Sequence, residues 1–149
     1  MTLPDLSVLP FAREHNAVEP LALLSVEHNK GLARLVNYFR ESVSAKAQYI
    51  LFDADRVIKH VVFNREFYGL KKLEERCYQG WYTGGNTSCL SPEAFVFFDG
   101  LHPTTKIHCW VSWFFQMTLF ESGYTSREPV AKKKHREFCL EKDPLVFDL

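Results

Sequence analysis

The sequence predicts an α/β fold with a parallel sheet, and three observations lead to this prediction. Two apolar runs, at 48–53 and 95–98, are continuous rather than alternating, which is typical of strands covered on both faces. Helical periodicity precedes the first run and follows each of them. Helices and strands that alternate along a chain indicate layers of helices packed on a sheet.

Composition narrows the classes of function. The chain has 149 residues with 18 basic and 18 acidic side chains, as expected for one soluble globular domain. Zero net charge argues against nucleic-acid binding, and the basic run at 132–136 is typical of a solvated tail. Charges interrupt every apolar run before the roughly 20 residues that a membrane helix needs. Residues 1–5 lack the basic and apolar regions of a signal peptide.

Two helices frame the first apolar run. A long amphipathic helix is predicted over 20–42, with Pro20 in its first turn. Its apolar face comprises Leu21, Leu24, His28, Leu32, Leu35, Val36 and Phe39. A second helix is predicted over 54–63, and a loop follows at 64–69.

The second apolar run is predicted to be a strand that ends at Asp99. After a tight turn, Pro103 fits the first turn of a helix. The apolar stripe of that helix comprises Ile107, Trp110, Val111, Phe114 and Met117. Periodicity ends near residue 121, so we expect a domain over 1–121 and a charged tail over 122–149.

Asp99 and His102 are the strongest candidates for chemistry. They follow a buried strand and precede a helix, which is where sites collect in open α/β sheets. Three residues across a turn allow the carboxylate to reach the near ring nitrogen of the histidine. The far nitrogen is then free to take a proton from a nucleophile.

The four cysteines leave two interpretations open. Cys77 and Cys89 bracket a polar segment rich in Gly and Tyr. They are either unrelated thiols or a disulfide that closes a small loop, worth about 3 kcal/mol in the chain-entropy picture. We favour the disulfide. Neither has a second Cys or His at ligand spacing, so zinc is not expected, and no metal or cofactor is predicted.

Other candidates have simpler interpretations. His28 lies on an apolar helix face and is interpreted as a core histidine, and His135 has no partner at useful spacing. Asp53 and Asp55 lack a third metal ligand. The aromatic cluster within 110–115 could line an acyl pocket, but we favour core packing.

The segment 97–104, Phe-Phe-Asp-Gly-Leu-His-Pro-Thr, resembles the last motif of the GDSL/SGNH hydrolases. In that motif an aromatic strand runs into Asp-x-x-His-Pro-Thr. The resemblance covers residues 2–121 and is strongest to bacterial thermolabile-hemolysin and phospholipase/acyltransferase members. Upstream counterparts are Leu3–Leu6 with Pro10, His28-Asn29 with Leu32, the run 48–53, the turn 64–69 with Arg65 in place of Pro, and Cys77, Cys89 and Pro92.

The resemblance implies the C-terminal portion of a three-layer, flavodoxin-like SGNH fold that is incomplete here. Family members carry the nucleophilic Ser in a Gly-Asp-Ser-Leu block, with oxyanion donors from that block, a Gly and an Asn. We expect these blocks to lie N-terminal to Met1, since no such motif occurs in the chain. The remaining serines are interpreted as structural: Ser25, Ser42, Ser44, Ser91, Ser112 and Ser122.

The resemblance further implies a lipase, esterase or lysophospholipase with a Ser-His-Asp mechanism, to which this chain contributes Asp99 and His102. The expected partners are a lipid or small acyl-ester substrate and a missing N-terminal half, with peripheral contact to membrane lipid. The family suggests a secreted or periplasmic location. Two alternatives remain open: a lipid acyltransferase, and a non-catalytic, partner-binding remnant of a split gene.

Overall fold

The computed structural model describes residues 1–42, 47–80 and 88–140. These residues form a mostly helical α/β structure with a two-stranded parallel sheet. The helices are α1 Pro10–Glu14, α2 Val18–Ser42, α3 Ala54–Phe63, α4 Thr105–Glu121 and α5 Lys132–Leu140, and the strands are β1 Lys72–Arg76 and β2 Phe95–Phe97. The α/β class with parallel strands is therefore confirmed at this coarse level.

The sheet joins a strand that the sequence predicted to one that it did not. Lys72 of β1 lies opposite Phe95 of β2, and Arg76 lies opposite Phe97, with an irregular register between them. Parallel neighbours need a long connection, and here the connection carries the Cys77–Cys89 disulfide. β2 ends at Phe97, two residues before Asp99.

The prediction of a strand over 48–53 is wrong. Among the described residues, no strand pairs with this run. Its backbone instead makes isolated contacts. The Phe52 carbonyl accepts from the Thr2 N–H at 2.9 Å, and the Tyr49 carbonyl accepts from the Arg40 guanidinium at 2.9 and 3.0 Å. Phe52 is nevertheless buried. Tyr49, Ile50 and Leu51, in contrast, are only half-buried. The run therefore lacks both the pairing and the cover on both faces that its continuous apolar character predicted, because both depend on neighbouring strands.

The three helices that the sequence predicted lie close to their predicted bounds, whereas α1 and α5 were not predicted. α2 begins two residues before the predicted start, and α3 has the predicted bounds because Asp53 caps it by accepting from the Arg56 N–H at 3.2 Å. α4 begins at Thr105 rather than at Pro103. Pro103 instead forms an isolated bridge with Phe97, so it belongs to the turn and not to the helix.

The core lies between α3, α4 and the sheet. Its buried members are Val61, Tyr68, Leu70, Val96, Phe97, Ile107, Trp110 and Cys139. Helix α4 crosses the middle of this cluster. Trp110 and Ile107 are fully buried, and the Tyr68 ring meets the Trp110 ring edge to face at 4.6 Å.

Helix α2 is packed much less. Of its residues only Ser25 is buried, and its contacts are mainly with the 3₁₀ turn Leu6–Val8. The Asn29 side chain binds the N-terminal segment through two hydrogen bonds to the Leu3 backbone. It accepts from the Leu3 N–H and donates to the Leu3 carbonyl, both at 2.8 Å. His28 is exposed, so its interpretation as a core histidine is wrong. The packed face is narrower than the apolar stripe predicted.

The segment expected to be a charged tail contains α5. This helix docks on α4, and a second disulfide joins Cys109 to Cys139. Lys133 and Lys134 are exposed, whereas His135 is half-buried. The basic run is therefore the solvated face of a helix whose other face is attached to the core.

Candidate functional site

The turn between β2 and α4 is folded back onto the strand. The Phe98 N–H donates to the His102 carbonyl at 2.8 Å, and the Thr104 N–H donates to the Val96 carbonyl at 2.9 Å. The Thr104 hydroxyl donates to the Phe95 carbonyl at 2.8 Å. These bonds close a short loop over 98–102, which carries both predicted site residues.

Within this loop Asp99 is held by the backbone that follows it. Its Oδ1 accepts from the Leu101 N–H at 2.8 Å and from the His102 N–H at 2.7 Å. The His102 Nδ1 lies 2.8 Å from Asp99 Oδ2 and 3.1 Å from Oδ1. The structure therefore brings the two predicted residues into direct contact, and it does so through local turn geometry.

The electrostatics keep this carboxyl group ionised. Burial opposes the charge on Asp99, but the N–H groups of His102 and Leu101 and the imidazole of His102 outweigh it, so the pKa of Asp99 is lowered. An ionised carboxylate can only accept hydrogen bonds, so the proton of a neutral His102 ring resides on Nδ1. Nε2 is then the unprotonated nitrogen.

The two side chains differ in exposure as expected for a general base, which must be accessible, and a carboxylate that orients it, which is more buried. The Asp99 side chain is 17% exposed, and the His102 side chain is 61% exposed. Among the described residues, the His102 ring hydrogen-bonds to Asp99 and to no serine. The arrangement can fix an imidazole tautomer and present a proton acceptor at the surface.

The disulfide predicted between Cys77 and Cys89 is present and lies beside this loop. The Cys77 N–H donates to the Phe97 carbonyl at 3.1 Å, and the Tyr78 N–H donates to the Phe98 carbonyl at 2.6 Å. The rings of Tyr78 and Phe98 stack with centroids 5.8 Å apart. The sequence did not predict that Cys77 and Tyr78 lie beside this loop, because they follow strand β1, which is charged and has no apolar run. Residues 81–87 lie outside the described residues.

A cavity of 120 Å³ adjoins the loop on its α1 side. It is lined by Phe11, His15, Arg76, Tyr78, Asp99, Gly100 and Leu101, among others. The Phe11 N–H donates to the Gly100 carbonyl at 3.0 Å and so joins α1 to the loop. The volume is below the roughly 300 Å³ of a typical small-molecule site. The part of the cavity that the described residues enclose is therefore smaller than a typical site for a long acyl chain.

The aromatic cluster of α4 packs mainly into the core, as predicted. Trp110 is fully buried and Trp113 is 8% exposed, whereas Phe115 is at the surface and meets Phe52 edge to face at 5.3 Å.

Four of the serine hydroxyls donate to carbonyls of the preceding helical turn, which fits a structural role. Ser25 donates to the Leu21 carbonyl, Ser42 to Tyr38, Ser112 to Cys109 and Ser122 to Thr118. Ser44 lies outside the described residues.

Asp53 and Asp55 act as caps and ion-pair partners. Asp53 Oδ1 accepts from the Thr2 hydroxyl at 3.0 Å, and Asp55 pairs with Lys59 at 2.8 Å.

His135 does have a partner, contrary to the expectation from spacing. Its Nε2 lies 3.0 Å from the Cys109 carbonyl oxygen. This contact joins residues 26 positions apart, so it depends on how α5 docks.

No protein-family model matches the chain, and none of the curated proteins matches it at a significant level. Across the described ranges, no helix combines the length and the apolar character needed to cross a bilayer. The resemblance to GDSL/SGNH hydrolases therefore depends on motifs within the chain itself.

Proposed function

We propose that this chain is the C-terminal part of a GDSL/SGNH-type serine ester hydrolase and that it contributes the acid–base pair. The observation that carries the proposal is the Asp99–His102 pair, bonded at 2.8 Å in a loop between a parallel strand and a helix. The motif Asp-x-x-His-Pro-Thr at 99–104 supports the choice of family in this proposal. The ionised Asp99 and the exposed His102 ring fit the roles that the family requires of them.

The roles of the two residues follow from their chemistry. The His102 Nε2 accepts the proton of a serine hydroxyl as that oxygen attacks the acyl carbonyl. The imidazolium that forms is stabilised by Asp99, which remains ionised. His102 then returns the proton to the leaving alcohol, and the same cycle with water releases the acid. An ester is thus converted into a fatty acid and an alcohol or lysolipid.

The nucleophile and the oxyanion donors belong, in this proposal, to an N-terminal half outside the sequence. Two features of the described residues support a missing neighbour. The apolar run 48–53 has no strand partner in the described part of the chain, and Leu51 and Asp53 line two grooves, of 410 and 500 Å³. An SGNH sheet assembled from both halves would place strands beside this run, giving the three-layer fold.

The test is hydrolysis of p-nitrophenyl esters by four samples. These are the chain alone, its His102→Ala variant, and each of them co-expressed with the N-terminal half of a GDSL/SGNH hydrolase. We expect equal background rates for the two lone chains, because no acyl-enzyme can form. We expect turnover only for the complemented wild type. His102→Ala should lower that turnover by about 10³-fold or more.

Two results would contradict the proposal. Activity of the lone chain that is lost in His102→Ala would show that a serine of this chain serves as nucleophile. Complemented turnover that His102→Ala leaves unchanged would remove His102 from the mechanism. Adding a long-chain alcohol as acyl acceptor to the active sample separates the acyltransferase alternative, because ester exchange then competes with hydrolysis.

The second candidate is a partner-binding remnant without activity. The poorly covered helix α2 favours it, since an exposed apolar face suits docking whether or not catalysis follows. The two candidates differ in one result. Complementation that yields a stable complex but no ester turnover supports the remnant.

A further inference from the structure

Helices α4 and α5 bring together three side chains that can bind a soft metal ion. Cys109 lies on α4, and His135 and Cys139 lie one turn apart on α5. Their ligand atoms all lie within 4.8 Å of one another. Two sulfurs and one imidazole are a ligand set that zinc prefers in proteins. In the structure the two sulfurs are joined to each other, so they are not free to bind metal.

The cluster does not depend on the disulfide alone for its geometry. The Arg136 guanidinium donates to the Phe67 carbonyl at 2.8 Å and lies over the Phe67 ring. The Trp113 indole N–H donates to the Val130 carbonyl at 2.8 Å, just before α5 begins. The His135 ring packs against the Trp110 ring at 5.4 Å. These contacts attach α5 and the segment before it to α4 and to the loop 64–69 independently of the disulfide.

The distances suit a tetrahedral zinc ion. With Zn–S near 2.3 Å and Zn–N near 2.0 Å, adjacent sulfur and nitrogen ligands lie about 3.5 Å apart and two sulfurs about 3.8 Å apart. The Cys109 Sγ already lies 3.7 Å from the His135 Nε2. The two sulfurs must move apart by about 2 Å once the bond between them is broken, and all three ligand atoms already lie within 4.8 Å of one another.

We propose that Cys109, His135 and Cys139 form a zinc-type metal site when their disulfide is reduced. A dithiol reductant gives two electrons and two protons to the disulfide and is itself oxidised to a disulfide. The metal ion then displaces the two thiol protons and binds both thiolates. The His135 Nε2, which donates its N–H to the Cys109 carbonyl in the oxidised state, gives up that contact. The ring proton moves to Nδ1 by exchange with water, and Nε2 becomes the third ligand. Because Cys109 and His135 are half-buried, water can reach the fourth position.

The site therefore has two exclusive states. The oxidised state joins α4 to α5 by a covalent bond, and the reduced state joins them through the metal. The Cys77–Cys89 pair provides an internal comparison, since among the described residues no histidine is grouped with it as a ligand set. This inference rests on the geometry of α4 and α5 and is independent of the proposed ester hydrolysis.

The experiment uses the full chain carrying Cys77→Ala and Cys89→Ala, so that one disulfide remains. The protein is reduced with a phosphine, which leaves as phosphine oxide and offers no competing thiol, and is titrated with Co²⁺ as the probe. We expect one equivalent of Co²⁺ with the sulfur charge-transfer and intense visible bands of a tetrahedral site. Zn²⁺ should displace it. The unreduced protein should show neither band.

Two variants test the assignment. The matched control keeps the other disulfide and carries Cys109→Ala with Cys139→Ala, and it should show no tetrahedral cobalt spectrum after reduction. His135→Phe retains an aromatic ring but has no ligand nitrogen. It should weaken metal binding by more than about 100-fold, the upper end for loss of an outer-shell partner. Its near-ultraviolet circular dichroism in the oxidised state shows whether α5 still docks.

Three results would overturn the proposal. The first is no cobalt spectrum in the reduced protein. The second is equal binding by the oxidised protein. The third is unchanged affinity in His135→Phe, which would exclude the histidine from the site.

Discussion

Helices α2 and α4 make an instructive comparison, because both carry long apolar stripes, but the stripe of α4 includes fully buried residues and that of α2 is at most half-buried. On α4, Ile107 and Trp110 are fully buried. On α2, Leu23, Leu24 and Leu35 are 64%, 53% and 50% exposed. A stripe of apolar residues therefore predicts a helix, but it does not predict whether another element packs on that stripe. The cover of α4 is within this chain, and in our proposal the cover of α2 is another polypeptide.

The two apolar runs differ in the same way. The run at 95–98 contains β2, which pairs with β1, while the run at 48–53 has no strand beside it in the described part of the chain. The two least covered elements, α2 and the run 48–53, also touch each other, since Phe39 stacks on Tyr49 with ring centroids 5.5 Å apart. The uncovered elements thus lie together.

The largest expected difference between the two helices is in stability. Trp110→Ala should lower the free energy of unfolding by about 3–5 kcal/mol, because it leaves a large cavity in the core. Leu24→Ala on α2 should change it by less than about 0.5 kcal/mol. Urea unfolding followed by circular dichroism measures both. Similar losses in the two variants would mean that α2 is packed in solution.

The disulfides extend the comparison, because both of them lie on the covered side of the molecule. Replacing Cys109 and Cys139 by Ala should cost about 4 kcal/mol, and replacing Cys77 and Cys89 about 3 kcal/mol. The order follows from sequence separations of 30 and 12 residues. Thermal unfolding of the two double variants tests this order, and the reverse order would contradict it.

A smaller effect is expected at Asp99. Its pKa is lowered in the folded chain, so its contribution to stability is present above the unfolded pKa and is lost as the pH falls through the folded value. Asp99→Asn should therefore be less stable than the wild type at neutral pH, and the gap should close in acid. The control is Glu128→Gln, an exposed carboxyl between α4 and α5. A gap that is constant with pH would show that the carboxylate charge is not involved.

The smallest change in stability is expected when charges are introduced on α2. The same change should clearly alter self-association. Replacing Leu24 and Leu35 by Glu should leave the unfolding free energy within about 0.5 kcal/mol, since both side chains are exposed. It should reduce self-association, because an exposed apolar patch recruits other chains. Sedimentation velocity of the variant against the wild type measures the difference. Unchanged association would place the associating surface elsewhere.

Local signals made part of this structure predictable. Helix α3 has its predicted bounds because Asp53 caps it, and the Asp99–His102 contact is fixed within three residues. Strand β1 was missed, since Lys72–Arg76 has one apolar residue and forms by pairing with β2.

Contacts that depend on docking were not predictable. Helix α5 was missed because its run of lysines gives the segment no apolar periodicity, although Cys139 is buried. The contact of His135 with Cys109 depends on how two helices pack, and no spacing along the sequence encodes that.

In our proposal the α2 side of this molecule is an interior surface of a larger hydrolase. Light scattering coupled to size exclusion, run on the lone chain and on the chain co-expressed with a GDSL/SGNH N-terminal half, tests this most directly. We expect the lone chain to associate and the co-expressed pair to elute as one monodisperse complex. A lone chain that remains a compact monomer on dilution and unfolds cooperatively would contradict the proposal, because these residues would then be a self-sufficient domain.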